Sequence, residues 1–344
     1  MSLIGLPQQP AGVAWPTKAW PEGALAGPSA GRVREAVDYA FSPEALPDLG
    51  QTHALVIIQG GRLVLERYAD GYGPEQTYPS WSKAKSITQA LVGIAVGDGK
   101  LDITAPAGVP EWAGAGDPRG PITLDLLLRM SSGLAFVEDY EPEHPSDVIA
   151  MLFGEGKDDV AHFAASQPLT HAPGGFWSYS SGTSNVVSRC VARAMDAFGA
   201  DFEAFMRARL FEPLGMTSPV PKFDAAGTFI GSSYCFCTAR DFARFGLLYL
   251  RDGVWDTQRI LPEGWVDYAR TPTWQQPTDE RPYGAHWWLG LGGPGSFSAN
   301  GYAGQFTIVV PDLDMVVVRN GDTPLDRREA PPAWLADLIG RFRE

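Results

Sequence analysis

Tyr78-Pro79-Ser80-Trp81-Ser82-Lys83-Ala84-Lys85-Ser86-Ile87-Thr88 opens an apolar segment that runs to about Gly99. At about 100° per residue, Ala84, Ile87, Leu91, Ile94 and Ala95 form one stripe, the pattern of a helix. Ser82 and Lys85 are three residues apart and therefore share a helical face. A hydroxyl and an amine placed this way can serve as a nucleophile and its base. The N–H of Ser82 is among the donors that a first helical turn leaves unpaired, so it can face an oxyanion.

Ser80 and Lys83 have the same spacing, and ordinary composition also places serines three residues before lysines. In the plain structural alternative, Ser80 or Ser82 is an N-cap and both lysines are solvated. The helical face separates the two frames. Ser82 and Lys85 project away from the apolar stripe, whereas Ser80 and Lys83 point into it or along its edge. That favours Ser82 with Lys85, and leaves Lys83 free to turn towards solvent.

The chain of 344 residues is long enough for two domains, or for one core with a large insertion. Charged residues make up 19% and hydrophobic ones 44%, the balance of a compact protein. A net charge of −13 argues against nucleic acid and against an anionic membrane surface as partners. No apolar run reaches the length of a membrane span. Cys190, Cys235 and Cys237 form neither a disulfide framework nor a zinc ligand set, and read as buried thiols. The Gly/Pro/Ala-rich start, to about Ala30, lacks the basic and apolar regions of a secretory signal, so a cytoplasmic location is expected. Met1-Ser2-Leu3 is compatible with a cloning remnant, in which case the natural start is missing.

Arg32–Phe41 reads as a short helix. Thr52–Gln59 and Arg62–Tyr68 alternate as strands and are joined by Gly60-Gly61, a hairpin signal. Helical patterns then dominate over 82–98, 122–130, 146–152, 157–166, 182–197 and 201–210, separated by Gly/Pro-rich connectors. Strands return at Ser298–Gly301, Gln305–Val310 and Met315–Arg319, and a helix closes the chain at Pro332–Arg343. Strands at both ends with helices between predict an α+β fold. One antiparallel sheet is flanked by terminal helices and carries an inserted all-helical region. The sheet region is 1–78 with 231–344, the helical region is 79–230, and a cleft lies where they meet.

Two more segments carry chemistry. Phe176-Trp177-Ser178-Tyr179-Ser180-Ser181-Gly182 follows a Pro-Gly-Gly turn and precedes a helix. A tyrosine there can shuttle a proton between nucleophile, lysine and leaving group if neighbouring cations favour its phenolate. Asn300-Gly301-Tyr302-Ala303-Gly304-Gln305-Phe306 begins a strand. Its glycines allow a ligand close to the strand, and the next backbone N–H can be a second oxyanion donor.

In order and spacing, Ser82-Lys83-Ala84-Lys85, Tyr179-Ser180-Ser181 and Tyr302-Ala303-Gly304 resemble the three motifs of the serine β-lactamase and penicillin-binding-protein superfamily. The surrounding strings Ile122–Leu134 and Thr238–Gly246 are also similar, and the resemblance spans roughly Thr52 to Gly321. Within the superfamily the chain is most similar to class C-like esterases and to aminohexanoate-oligomer hydrolases. The resemblance implies acyl transfer without a cofactor: Ser82 attacks, Lys85 takes its proton and Tyr179 protonates the leaving group. The N–H groups of Ser82 and Gln305 then hold the oxyanion. Tyr140, in a loop similar to one that closes over substrate, together with Trp177, Ser181, Tyr302 and Gly304, would line the substrate site.

Two positions depart from the motifs. Tyr302 stands where a Lys or His is usual, which disfavours substrates that carry a carboxylate. Ser181 replaces an Asn, removing an amide donor. The reading is therefore a serine hydrolase acting on a small ester or amide, its oligomeric state undetermined. Three alternatives stand beside it. One is D,D-peptidase or β-lactamase activity, and another is a binding protein on the same scaffold. The third is a Ser-His-Asp enzyme built on Gly27-Pro28-Ser29-Ala30-Gly31 and one of five histidines; that string lacks a preceding strand.

Overall fold

The computed structural model describes residues 3–27, 29–141, 143–273 and 281–344. Pro28, inside the G-x-S-x-G string, lies outside them. α1 (Ala30–Ala40) and α2 (Leu46–Leu49) precede β1 (Gln51–Gln59) and β2 (Arg62–Tyr68), the predicted hairpin. Gly60 and Gly61 both take positive φ, 56° and 70°, as such a tight turn requires. β3 (Thr77–Tyr78) leads into α3 (Lys83–Gly97), α4 (Leu124–Leu128), α5 (Asp147–Phe153), α6 (Val160–Ala165), α7 (Ser181–Ala194), α8 (Ala200–Met206) and α9 (Glu212–Leu214). Next come β4 (Val220–Pro221), β5 (Cys235–Thr238), α10 (Ala239–Leu250), β6 (Val254–Trp255), β7 (Gln258–Arg259) and α11 (Trp265–Ala269). β8 (Trp288–Leu289), β9 (Phe297–Gly301), β10 (Gln305–Val310), β11 (Met315–Asp322) and α12 (Ala330–Gly340) close the fold.

The main sheet has the order β2-β1-β11-β10-β9-β8 and is antiparallel throughout. The two chain halves meet at its centre, where Val56 lies opposite Val318. Alternation along β1 sorts side chains into two cores. Leu55 and Ile57 face α1 and α12, with Val33, Val37, Leu335 and Leu338. Ala54, Val56 and Ile58 face the other layer, where Phe242 and Phe245 of α10 and Leu91 of α3 are buried. Burying each large apolar side chain contributes roughly 1.5–3 kcal/mol, so this two-sided sheet anchors the whole molecule.

α10 was not predicted as a helix, although its start is marked. The Thr238 hydroxyl accepts the Asp241 N–H at 3.2 Å, the capping pattern of a Thr followed three residues later by an acid. Gly246 lets α10 press onto the sheet, since a Cβ there would stand 2.6 Å from Val316 Cγ1.

Lys83 requires a correction: it does not reach solvent. It is 1% exposed, and its Nζ sits 3.2 Å from the centre of the Phe242 ring. The cause is the position of α3, whose residues 83 to 95 are all buried between sheet and helical layer. A helix enclosed on all sides has no solvated face to offer. Burial pushes the Lys83 amine well below the usual lysine range.

Candidate active site

Ser82 lines a cleft of about 610 Å³, whose walls include Tyr140, Tyr179, Trp288, Tyr302, Gly304 and Phe306. Trp81, just before it, is held at φ 43°, a left-handed conformation costly for a bulky residue. The N–H groups of Lys83, Ala84 and Lys85 close the first turn on the carbonyls of Ser80, Trp81 and Ser82. The Ser82 N–H thus stands ahead of the helical ladder. Ser80, the rival nucleophile, is fully buried and tied down. Its Oγ donates to the Ser233 carbonyl at 3.0 Å and accepts the Cys235 N–H at 2.9 Å.

Lys85 reaches three acceptors: Ser82 Oγ at 3.2 Å, Ser181 Oγ at 2.9 Å and the Ser232 carbonyl at 3.0 Å. Ser181 donates its own hydroxyl to Glu138 Oε1 at 2.6 Å, and so must meet Lys85 as an acceptor. A neutral amine has two N–H bonds; with these held by Ser181 and Ser232, its lone pair faces the Ser82 hydroxyl. Burial lowers the Lys85 pKa to about 8, partly opposed by the charge of Glu138. The amine therefore loses its proton near neutrality instead of far above it.

Tyr179 lines the same cleft as Ser82. Its ring lies 4.9 Å from Lys85 Nζ, packed against Trp288 at 5.4 Å and Tyr283 at 5.9 Å. Burial first, and Glu138 second, raise its pKa above the usual tyrosine range. The phenolate condition is thus not met, and Tyr179 is held as a neutral phenol, a proton donor.

Gln305 opens β10 directly after the turn Tyr302–Gly304, with Ala303 at φ 57° and Gly304 at φ 82°. Its side chain turns away, donating to the Ala303 carbonyl at 3.1 Å and the Gly321 carbonyl at 2.5 Å. A Cβ on Gly301 would stand 2.4 Å from the Ser80 carbonyl. What presses against this strand is therefore the loop bearing Ser82, and Gly301 brings the two together.

Tyr302 packs its ring 5.2 Å from Tyr140 and 5.7 Å from Trp81. Trp177 is 6% exposed and stands behind Trp288, edge-on at 6.2 Å, so Trp288 presents the indole that lines the cleft. Arg281, Arg328 and Glu329 also line it, next to the start of α12.

The residue that sequence reasoning missed is Glu138. Its carboxylate accepts the Ser181 N–H at 2.7 Å, the Ser181 hydroxyl at 2.6 Å and the Tyr140 hydroxyl at 2.6 Å. Only its place beside Tyr140 hinted at it, since no spacing links 138 to 82 or 181. His286, the histidine buried nearest the Lys85 helix, is not placed as a base for a serine in the cleft. His286 is buried, with Nδ1 2.8 Å from the Leu128 carbonyl and Nε2 2.9 Å from the fully buried Ser184. Burial holds its pKa down to about 3. Among the described residues no His/Cys/Asp/Glu group could hold a metal, and no helix is long and apolar enough to cross a membrane.

The Beta-lactamase family model matches residues 50–338. The chain belongs to the beta-lactamase family. It is a serine hydrolase on an α+β, beta-lactamase-like fold. The 6-aminohexanoate-dimer hydrolase of Paenarthrobacter ureafaciens is 28% identical over 301 residues, 81% of this chain and 76% of the relative. A Bacillus anthracis structure provisionally assigned as a 6-aminohexanoate-dimer hydrolase superposes with TM-score 0.78 at 21% identity, covering 99% of this chain and 91% of its own. A family VIII carboxylesterase superposes with TM-score 0.70 at 14% identity, over 93% and 99% of the two chains.

Proposed function

We propose that the protein cleaves a small ester or amide through an acyl-enzyme on Ser82. The observation that carries this reading is the Lys85 amine, fixed by Ser181 and the Ser232 carbonyl with its third contact on Ser82 Oγ. The Ser82 oxygen attacks the substrate carbonyl carbon, its proton passes to Lys85, and the carbonyl electrons move onto oxygen. The N–H groups of Ser82 and Gln305 receive that oxyanion, an effect worth about 2.7–4 kcal/mol per donor in other hydrolases. Collapse breaks the bond to the leaving group, which takes the Tyr179 proton; Lys85 returns the proton it holds to Tyr179. Water then releases the acid and restores Ser82.

The aromatic walls formed by Tyr140, Trp288 and Tyr302 suit an apolar acyl or alkyl group. Amides belong in the substrate class because the curated relative is a dimer hydrolase of an amino acid. Labelling with a fluorophosphonate, read as a mass shift, tests the reading. The label is expected on wild type and on Ser80→Ala, and absent on Ser82→Ala. A label that survives Ser82→Ala and disappears in Ser80→Ala refutes it.

A further inference from the structure

Arg319 lies on β11 and is fully buried. All five of its N–H bonds find neutral acceptors. Nε meets Thr52 Oγ1 at 3.3 Å. Nη1 meets the Gly304 carbonyl at 2.7 Å and Thr323 Oγ1 at 3.3 Å. Nη2 meets the Leu49 carbonyl at 2.9 Å and Thr52 Oγ1 at 3.1 Å. Among the described residues no carboxylate lies within salt-bridge distance of it. A buried cation without a counter-ion is costly and calls for an explanation.

The shortest of these bonds falls on a particular peptide unit. The Gly304 carbonyl belongs to the same peptide as the Gln305 N–H. A charged donor on the oxygen of a peptide draws electron density towards that oxygen and makes its N–H a stronger donor. The fit is also tight: a Cβ on Gly304 would stand 2.2 Å from Nη1, and one on Gly321 would stand 2.9 Å from Cζ. The guanidinium therefore fixes the turn as well as polarising it.

We infer that Arg319 is a positioning residue for the oxyanion site, acting from behind through the Gly304–Gln305 peptide. It touches neither substrate nor Ser82. Its charge is set where negative charge develops on the far side of one peptide unit, in a place that water does not screen. This rests on the acyl-enzyme reading of Ser82.

The test is the carbonyl stretch of the acyl-enzyme, which falls as hydrogen bonding to that oxygen strengthens. Wild type, Arg319→Gln and Arg319→Met are mixed with nitrophenyl butyrate carrying a ¹³C carbonyl, and isotope-edited infrared difference spectra are recorded. The acyl band is expected at higher frequency in both variants, with kcat lower by about tenfold and KM little changed. Should the single variants not fold, Arg319→Met with Thr52→Val removes charge and acceptor together and keeps the cavity filled. It carries the same expectation. An unshifted band in a folded variant overturns the role of Arg319, whatever happens to its Tm. No acyl band in wild type would overturn the Ser82 reading and this inference with it.

Discussion

Replacing Glu138 by Gln removes one charge from a chain of hydrogen bonds that ends on the Lys85 amine, the base in the proposed reaction. Bonds of 2.9 Å from Lys85 to Ser181 and 2.6 Å from Ser181 to Glu138 put the carboxylate at most about 5.5 Å from the amine. At an effective dielectric near 20, unit charges at that separation interact by roughly 3 kcal/mol, or about two pKa units. Glu138 is half-buried, so part of this is screened, and a shift of about one to two units is the working figure.

The sign follows from which form Glu138 favours. Its negative charge stabilises the Lys85 ammonium, opposing the burial that brings the pKa to about 8. A base must be neutral, so the acylation rate rises with pH through that pKa. In Glu138→Gln the ammonium loses its partner, and the rising limb should move to lower pH. The plateau should also fall, because Ser181 loses the acceptor that orients its hydroxyl towards an accepting role for Lys85. Pre-steady-state release of nitrophenol from nitrophenyl butyrate, followed across the neutral range, gives both quantities. A limb that stays in place or moves to higher pH would refute the chain Glu138–Ser181–Lys85 as the source of the tuning.

Other outcomes follow from the same geometry. Lys85→Arg should be nearly inactive in nitrophenyl ester kinetics, because arginine does not give up its proton in a protein; retention of most of the rate would remove Lys85 as the base. Lys83→Met should keep activity and raise Tm, since it replaces a buried amine that has no hydrogen-bond partner among the described residues by an apolar chain of similar length. The Lys83 pKa is lowered on folding, so the unfolded chain binds the extra proton, and the gain in Tm should grow as pH falls below the usual lysine range. Gly301→Ala should cut kcat by at least about tenfold with protein still folded, because its Cβ meets the Ser80 backbone two residues before Ser82; an unchanged kcat would show that β9 does not set the position of Ser82. Nitrophenyl butyrate should exceed nitrocefin in kcat/KM, as Tyr302 offers a neutral hydroxyl where a substrate carboxylate calls for a cation; the reverse ranking would point to Arg281 or Arg328 as a substitute.

Much of the architecture was legible because it depends on short-range patterns. The Gly60-Gly61 hairpin, β10 at Gln305–Val310 and the helical middle were each written in period and turn chemistry. The α+β fold with an antiparallel sheet followed from strands at both ends of the chain. α10 is not among the helices the sequence predicts, because its Thr238-x-x-Asp241 start lies in a string read for its resemblance to the family and not as a helix cap. Lys83 was misjudged for a different reason. A helical stripe tells which face is most apolar, but it does not tell whether the opposite face meets water or another layer.

The partners of Ser82 and Lys85 were the least legible part, and the reason is geometric. Ser82 and Lys85 are neighbours on one helix, so spacing alone brings them together. Glu138 and Arg319 act across elements far apart in sequence, through Ser181 and through the Gly304 carbonyl. Neither has a hydrogen bond to Ser82, and each connects to the site through a backbone or hydroxyl group that any sequence supplies. Arg319 even stands in a strand of valines, where its charge reads as an interruption of the apolar pattern. The shortest of its hydrogen bonds, to the Gly304 carbonyl, falls on the turn that leads into Gln305. An unpaired ionic residue in an otherwise apolar strand is therefore a positional clue, provided the strand is known to run behind a catalytic loop.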